Sequence, residues 1–483
     1  MKIKIILNTL ILVFAMVYAN HVVAQNTHPN IVLIMMDDMG YGDTEPYGMT
    51  GINMPVFNRL SREGTRFTHY NAAQPICTAS RAAILTGCYA NRLGMPGALL
   101  PGDRRALNPD EQTIASLLKD NGYVTGMFGK WHLGNKSQFW PTHYGFDTFY
   151  GIPYSHDIWN RDEDGNVVTD KKDMRYHWPP LPIIEGDKLI DSITSKEQLS
   201  MLLTNLTEHS VKFIKQNKNK PFFLYLAHTM PHVPIAPSAR FRGKSEMGPF
   251  GDEIMEINWS ITQILNTLDK EKLTNNTIVI VTSDNGPWLK YGDNAGSSGG
   301  LREGKATSWE GGTRVPMWMR WPGKIPAGDV NSGLMVNIDW LPTIIAATGA
   351  KMPNKPIDGL NFLPFLTGKT QVDPREVFYY YFGKNNLEAV RYKNWKLVFP
   401  HPSYTYAEFT LGKGGKGGGM GIVQVPMALY DLAHDPGEAY DVQKNYPEIV
   451  KKIQDLAEKA REDMGDDLTH REGKNLRTPA VGH

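Results

Sequence analysis

The residues Cys77-Thr78-Ala79-Ser80-Arg81 combine a nucleophilic type of side chain with a cation four positions later. If this stretch begins a helix, Cys77 and Arg81 lie one turn apart and face the same way. The backbone N–H groups at a helix N-terminus also stabilise an anionic oxygen placed there. The pattern therefore predicts nucleophilic chemistry beside an anion site. The alternative is an ordinary helix start with a small buried cysteine.

Four oxygen donors follow two apolar runs: Asp37 and Asp38 come after the first, and Asp284 and Asn285 after the second. Oxygen ligands without Cys or His are typical of Ca²⁺ or Mg²⁺ sites rather than zinc sites. Because successive strand residues point to opposite faces, Asp37 and Asp38 converge only if the strand has ended before them. Either pair alone is more often loop or capping chemistry, but two pairs at equivalent strand ends predict one divalent cation.

Four short apolar runs that end abruptly in polar residues must position this chemistry. Continuous apolar runs are typical of parallel strands that are buried on both faces. Ligands of such sheets gather beyond the carboxyl ends of the strands. We therefore expect the polar residues after all four runs to share one edge of a sheet. The runs are Ile31–Met36, Tyr123–Phe128, Phe222–Ala227 and Ile278–Val281.

The stretches between these runs carry apolar residues at helical spacing, as from Ile254 to Leu268. Strands that alternate with helices predict an α/β layer fold. After about residue 375 the pattern changes to short antiparallel strands and a final helix around Pro447 to Arg461. We expect a signal peptide at 1–24, a catalytic domain at 25–374 and a smaller α+β domain at 375–483. The glycine-rich loop 412–421 is either a mobile surface loop or a contact with substrate.

Composition sets the class of protein and its compartment. The 483 residues include 51 basic and 50 acidic side chains, so nothing indicates nucleic acid or a membrane surface as a partner. Residues 1–24 have the basic start, apolar core and small-residue end of a secretory signal, with a retained anchor as the alternative. The mature chain is therefore expected to be periplasmic or secreted. A disulfide between Cys77 and Cys88 is disfavoured because a short helix would hold them apart.

Several motifs together resemble one family. Cys77 to Arg81, with Leu85-Thr86-Gly87, resembles the sulfatase signature, and residues 129–134 are similar to the family's Gly-Lys-Trp-His-Leu-Gly motif. The resemblance is to type I, formylglycine-dependent, arylsulfatase A-like sulfatases of the alkaline phosphatase superfamily, and it spans residues 29–432. It implies an α/β fold with a large mixed, mainly parallel sheet sandwiched by helices. A smaller C-terminal domain of antiparallel sheet plus helix is also implied.

The resemblance also implies the roles of individual residues. Cys77 would be oxidised to formylglycine (3-oxoalanine), with Arg81, His132 and His228 as catalytic residues. Sulfate would be bound by Lys130, Ser155 and Lys305. One Ca²⁺ per chain would be held by Asp37, Asp38, Asp284, Asn285 and modified Cys77. His156 and His232 lie beside these motifs and are left without a role.

In the mechanism that this resemblance implies, a hydroxyl of the hydrated aldehyde attacks sulfur and His228 protonates the departing alcohol. His132 then takes a proton from the second hydroxyl, so that sulfate is released and the aldehyde returns. Two alternatives remain: a phosphate or phosphonate ester hydrolase of the same superfamily, and a non-catalytic binder of sulfated glycans. Ala79 stands where many members have Pro, which leaves open which maturase modifies Cys77.

The substrate is far less constrained by the sequence than the reaction. An exported sulfatase of this type is expected to act on a sulfated polysaccharide or glycosaminoglycan fragment. Trp140, Trp159, Trp178 and Trp288 either stack on sugar rings or pack in the core. The sugar, the sulfated hydroxyl, exo or endo action and the oligomeric state stay open.

Overall fold

A computed structural model describes residues 28–482, so the predicted signal at 1–24 lies outside the described residues. The strands, in chain order, are β1 (Asn30–Met36), β2 (Thr65–Phe67), β3 (Tyr70–Asn71), β4 (Arg105–Ala106), β5 (Val124–Lys130), β6 (Thr148–Ile152), β7 (Leu181–Glu185), β8 (Lys188–Ile193), β9 (Phe222–Ala227), β10 (Thr277–Ser283), β11 (Met317–Arg320), β12 (Asp329–Asn331), β13 (Met335–Val336), β14 (Val377–Phe382), β15 (Asn386–Tyr392), β16 (Trp395–Val398), β17 (His401–Thr405), β18 (Gly421–Val425), β19 (Ala428–Asp431) and β20 (Ala480–Val481).

The α-helices, in chain order, are α1 (Pro55–Glu63), α2 (Cys77–Thr86), α3 (Ile114–Asp120), α4 (Lys196–Ser200), α5 (Leu202–Asn217), α6 (Gly248–Lys270), α7 (Glu310–Thr313), α8 (Trp340–Thr348), α9 (Leu363–Leu366) and α10 (Pro447–Met464). Among residues 28–482, no helix combines the length and the apolarity needed to cross a bilayer.

A ten-stranded mixed sheet organises the larger part of the chain, in the order β12-β2-β11-β10-β1-β9-β5-β6-β7-β8. The five central strands, from β10 to β6, run parallel. The four apolar runs of the sequence form four of these strands, as predicted. Antiparallel strands extend both sides of this parallel centre.

Both faces of the sheet are covered, which explains why its central strands are apolar without alternation. Along β1, Ile31, Leu33 and Met35 belong to one buried cluster. The residues between them, such as Val32 and Ile34, belong to a second cluster on the other face, together with α5 and α6. The large mixed sheet sandwiched by helices is therefore confirmed.

The C-terminal part contains a four-stranded antiparallel sheet, β14-β15-β16-β19, against which α10 packs. The strands β17 and β18 form a separate hairpin, and the glycine-rich loop connects them. The predicted antiparallel sheet with a final helix is thus present.

Candidate active site

The ends of β1 and β10 bring the predicted oxygen donors together. The two strands are paired to their last residues, Met36 and Ser283, so Asp37 and Asp284 leave the sheet side by side. At Asp38 the backbone has φ 65°, which shows that the strand has ended and allows its carboxylate to converge with that of Asp37. The backbone N–H of Asp38 donates to Asp284 Oδ1 over 3.1 Å, which fixes the two segments to each other.

Cys77 is the first residue of α2, following extended backbone at Ile76, and Cys88 lies just beyond the other end of that helix. The two thiols are free, as the predicted helix between them requires. The Cys77 side chain is buried, with 3% of its surface exposed. Burial raises the pKa of its thiol, and the charges of Lys130 and Lys305 only oppose that rise. Unmodified Cys77 is therefore a protonated thiol, rather than a thiolate, at neutral pH.

Three cations surround the carboxylates, and each forms an ion pair. Lys130 Nζ lies 2.7 Å from Asp37 Oδ2 and donates to Ser155 Oγ over 3.0 Å. Lys305 Nζ lies 2.7 and 2.8 Å from the two oxygens of Asp38. Burial alone would lower the pKa of Lys305, but the attraction of Asp38 outweighs it and raises that pKa well above its usual range.

Arg81 completes this set from one turn into α2. Its Nε and one terminal nitrogen lie 3.0 and 2.8 Å from Asp284 Oδ2, and the other donates to the carbonyl of Lys130 over 2.9 Å. With three carboxylates and three cations, the formal charge of the buried cluster is zero. Adding an anion alone would leave a buried charge uncompensated, which is costly. A divalent cation bound by the carboxylates would supply the positive charge that such an anion needs.

The cluster fits such a cation. Asp37 Oδ1 and Asn285 Oδ1 are buried acceptors without a hydrogen-bond partner among the described residues, and a metal ion satisfies such oxygens. Ligand atoms of Asp37, Asp38, Cys77 and His232 lie within 4.8 Å of one another. The structure thus groups the predicted Asp37, Asp38 and Cys77, and it adds a histidine that the oxygen-only prediction did not include.

The structure does not bring His228 to this cluster, although the sequence analysis placed it at the departing oxygen. His228 is buried, and its Nε2 is 3.0 Å from the hydroxyl of Ser260 on α6, which covers one face of the sheet together with α5. Four residues later in the chain, His232 Nε2 lies 3.5 Å from Asp38 Oδ2 and therefore beside the cluster. The histidine of this segment that reaches the site is therefore His232, for which the sequence analysis gave no role.

His132 is a buried side chain at a backbone position with φ 61°. Its Nε2 is 2.9 Å from the carbonyl of Leu99, and its carbonyl accepts a hydrogen bond from Thr78 at the start of α2. Burial lowers its pKa well below the usual range, so the ring is neutral. Its Nδ1 has no hydrogen-bond partner among the described residues and is free to interact with a ligand.

Residues of the C-terminal part contact the segment that carries Lys305, and no sequence motif had indicated these contacts. The Tyr406 hydroxyl donates to the carbonyl of Lys305 over 2.7 Å, and Glu303 accepts from the Thr405 hydroxyl over 2.6 Å and from the Tyr406 N–H over 2.9 Å. Nearby, buried Lys396 lies between Glu310 and Glu438, at 3.3 and 2.6 Å. The position of Lys305 thus depends on residues about one hundred positions later in the chain.

Comparison with known proteins finds three family models that match parts of this chain. Residues 29–350 match the family model described as Sulfatase, and residues 373–480 match the C-terminal region of aryl-sulfatase. Residues 304–409 also match the model of the C-terminal part of N-sulphoglucosamine sulphohydrolase. Arylsulfatase A of Homo sapiens is 36% identical over 452 residues, which cover 89% of this chain and 87% of that protein.

Two solved structures are similar over nearly the whole described chain. The PsFucS1 sulfatase from Pseudoalteromonas sp. superposes with a TM-score of 0.78 and 28% identity, covering 89% of each chain. A second protein, described in connection with the metabolism of multiple glycosaminoglycans by Bacteroides thetaiotaomicron, has a TM-score of 0.74 and 28% identity. That match covers 90% of this chain and 100% of the other.

Proposed function

The chain belongs to the sulfatase family of sulfuric ester hydrolases, and we propose that it removes sulfate from a sulfated polysaccharide or glycosaminoglycan fragment through a nucleophile made from Cys77. The observation that carries the proposal is the position of Cys77, at the first turn of a helix and among Lys130, Lys305 and Arg81. The glycosaminoglycan connection of one similar structure supports the substrate class.

The nucleophile is formylglycine rather than the thiol. Because burial raises the pKa of Cys77, the unmodified side chain is protonated and is a poor nucleophile. Oxidised to an aldehyde and hydrated, the same position supplies a hydroxyl for attack on sulfur and a second hydroxyl for release of sulfate. Arg81 holds Asp284 and the carbonyl of Lys130 in place around this position.

Lys130 and Lys305 bind the sulfate group from two sides. Each ammonium now pairs with a carboxylate, Asp37 and Asp38 respectively. Those carboxylates, with Asp284 and Asn285, would hold a divalent cation, and Lys130 and Lys305 would then face sulfate oxygens instead of Asp37 and Asp38. Ser155, which accepts from Lys130 Nζ, keeps that ammonium directed into the site. Fixed cations in a dry site stabilise the charge that shifts during transfer.

Ca²⁺ is the cation that we propose, since the available donors are mainly hard oxygens. Its chemistry there is to polarise the sulfate and to hold negative charge. The buried, unpartnered oxygens of Asp37 and Asn285 support this assignment.

In this proposal His232, in place of His228, is the proton donor to the departing sugar oxygen. The reason is geometric, because His232 Nε2 is 3.5 Å from Asp38 Oδ2, whereas His228 is held by Ser260. Burial lowers the pKa of His232 well below its usual range, so the ring gives up a proton readily to an oxygen on which negative charge develops. His132 acts on the second hydroxyl, with Nε2 fixed by Leu99 and Nδ1 unpartnered. A general acid or base at such a position contributes about 10²–10⁴ in rate.

The experiment combines mass spectrometry of the peptide containing Cys77 with sulfate release from defined sulfated mono- and disaccharides. Active protein should carry the aldehyde at Cys77, and Cys77→Ala should release no sulfate. Full activity with an intact thiol would contradict the mechanism. Faster turnover of matched phosphate esters would assign the chain to phospho-ester hydrolysis instead, and tight binding without turnover would make it a glycan binder.

Three further proposals complete this picture. The chain acts in the periplasm or outside the cell after removal of residues 1–24, with no membrane or nucleic-acid partner. A maturase that generates formylglycine is a required partner. The catalytic domain extends from 25 to 374 and the C-terminal domain from 375 to 483, and the contacts of Tyr406 with the Lys305 segment make the second necessary for the first.

A further inference from the structure

A cavity of about 320 Å³ opens beside the residues that hold sulfate in the proposed function. Trp288 connects the two places, since Lys305 Nζ lies 4.7 Å from its ring centre and its ring lies 5.5 Å from that of His232. Asp157, also in the lining, directly follows His156, whose ring is 5.5 Å from His232. The group attached to a bound sulfate therefore extends into this space, which we call the tryptophan cavity.

Aromatic rings form much of the wall of the tryptophan cavity. Trp159, Trp178 and Trp288 line it together with Tyr291, which meets Trp288 edge-on at 5.0 Å. Trp178 is half-buried, and among the described residues no cation lies over its ring. An open aromatic face with a polar surround suits the C–H face of a pyranose ring, and the volume is at the lower end for small-molecule sites. The cavity thus fits one sugar ring.

The charged residues of the lining sum to a net charge of −2. They are four carboxylates, on Asp157, Asp162, Glu163 and Asp173, and two guanidinium groups, on Arg161 and Arg175. Arg175 is already paired, because it lies 2.7 Å from Asp173 and 3.0 Å from Glu163. A second sulfate or a carboxylate on the bound ring therefore meets excess negative charge, and Arg175 is not free to pair with it. Arg161 is the lining cation without an ion pair to a described carboxylate, and it donates to the carbonyl of Gly165 over 3.2 Å.

Two polar atoms of the lining residues lack partners. Asp157 Oδ1 and Arg161 Nε are buried without a hydrogen bond to any described residue. The first accepts a hydrogen bond and the second donates one, which is the pair of functions that neighbouring sugar hydroxyls satisfy. Such unpaired groups are costly when buried, so a ligand that pairs them gains affinity over one that does not.

The glycine-rich loop forms one side of the tryptophan cavity through Gly415. The N–H groups of Gly412 and Gly418 donate to the carbonyl of Lys290 over 2.8 and 2.7 Å, so the loop is attached to the segment that carries Trp288. Gly415 has φ 84°, and a Cβ there would lie 3.4 Å from Asn294 Nδ2 and 3.8 Å from Glu163 Cβ. Of the two alternatives for this loop, substrate contact is the one that these bonds support.

We propose that the tryptophan cavity binds the ring that carries the scissile sulfate and selects a neutral, hydroxyl-bearing sugar over one with a second anionic group. The proposal rests on the proposed function and deepens it. Lys290 Nζ lies 5.4 Å from the ring centres of both Trp288 and Tyr291, at the edge of the cavity, and the exposed Lys413 and Lys416 lie outside the lining.

The test compares kcat/KM for monosulfated neutral hexoses with kcat/KM for the same rings carrying a second sulfate or a carboxylate. The wild-type protein should prefer the neutral rings by ~10–100-fold, which corresponds to about 1.4–2.8 kcal/mol of repulsion between like charges. Asp157→Asn should reduce this ratio toward one. Asp164→Asn is the matched control, because this exposed carboxylate is two residues from Asp162 and outside the lining, and it should leave the ratio unchanged.

A third variant tests the loop. Gly415→Asn keeps a residue that tolerates positive φ but adds a side chain toward Glu163, and it should raise KM for the neutral hexoses more than it lowers kcat. Equal or better turnover of the doubly anionic rings would overturn the proposal, as would an unchanged ratio in Asp157→Asn. Absence of sulfate release from both the sugars and 4-nitrophenyl sulfate would instead overturn the proposed function.

Discussion

Replacing Lys305 by alanine tests whether this side chain acts on the sulfate or on the sugar. Its ammonium lies 2.7 and 2.8 Å from the oxygens of Asp38, in a buried pair. If it faces sulfate during catalysis, its loss removes one fixed electrostatic donor, and kcat should fall by ~10²–10³. The same change leaves Asp38 buried without its cation, which typically costs about 3–5 kcal/mol of folding stability.

Both effects are measurable in one pair of assays. Turnover should fall alike for 4-nitrophenyl sulfate and for the best sulfated sugar, because the sulfate is common to both. Denaturant unfolding in chelator should show the loss of stability, and added Ca²⁺ should restore part of it, since the cation then compensates Asp38. Lys393→Ala is the matched control: it breaks the exposed pair with Glu376 at 3.2 Å, and it should cost at most about 1 kcal/mol and leave turnover unchanged.

The outcome has clear alternatives. A large loss with the sugar but none with the aryl ester would move Lys305 from the sulfate site to the tryptophan cavity, where it lies over Trp288. Unchanged turnover of both substrates would refute the assignment of Lys305 to sulfate altogether.

Three further predictions concern the metal, the general acid and pH. Asp284→Ala should remove metal and turnover together, as measured by metal analysis and sulfate release; stoichiometric zinc in the wild-type protein would contradict the calcium assignment. His232→Gln should lower kcat by ~10²–10⁴ for sugar sulfates and far less for an aryl sulfate, which needs no acid, and a larger effect in His228→Gln would restore the assignment made from sequence. Burial raises the pKa of Glu388 from its ordinary value of 4.5 to about 7, so the carboxyl ionises first in the unfolded chain, and the free energy of unfolding should fall by up to about 3 kcal/mol as pH rises across that interval. Glu388→Gln should flatten this fall in urea titrations, and an equal slope in both proteins would exclude Glu388 as its source.

The central strands and the convergence of their ends could be predicted because burial on both faces leaves a plain sequence signal. A run such as Ile31–Met36 has no polar position, and the residue that follows it must therefore lie at the sheet edge. The strands at the sides of the sheet gave no such signal. β2 and β12 have three residues each, and β8 is mostly exposed, so their pairing depends on tertiary contacts.

The sequence alone could not distinguish which of two histidines, His228 or His232, reaches the site. Both follow β9 within six residues, and either could reach the edge of the sheet. What separates them is the path of the chain, which places one ring against Ser260 and the other beside Asp38. The hydrogen bond from Tyr406 to the Lys305 segment could not be predicted either, because it joins residues about one hundred positions apart in the chain.

The burial of Cys77 also limits when an enzyme could reach this side chain, before or after the chain folds. With 3% of its surface exposed at the base of a closed cluster, the side chain is out of reach of any enzyme once α2 has docked. If Cys77 is converted to formylglycine as proposed, the oxidation must precede the completion of folding, and the proposed maturase would compete with folding for a brief interval after synthesis. A chain that folds too quickly, or a variant that is stabilised around α2, would be well structured and permanently inactive. Yield of active protein should therefore depend on folding rate as well as on maturase supply.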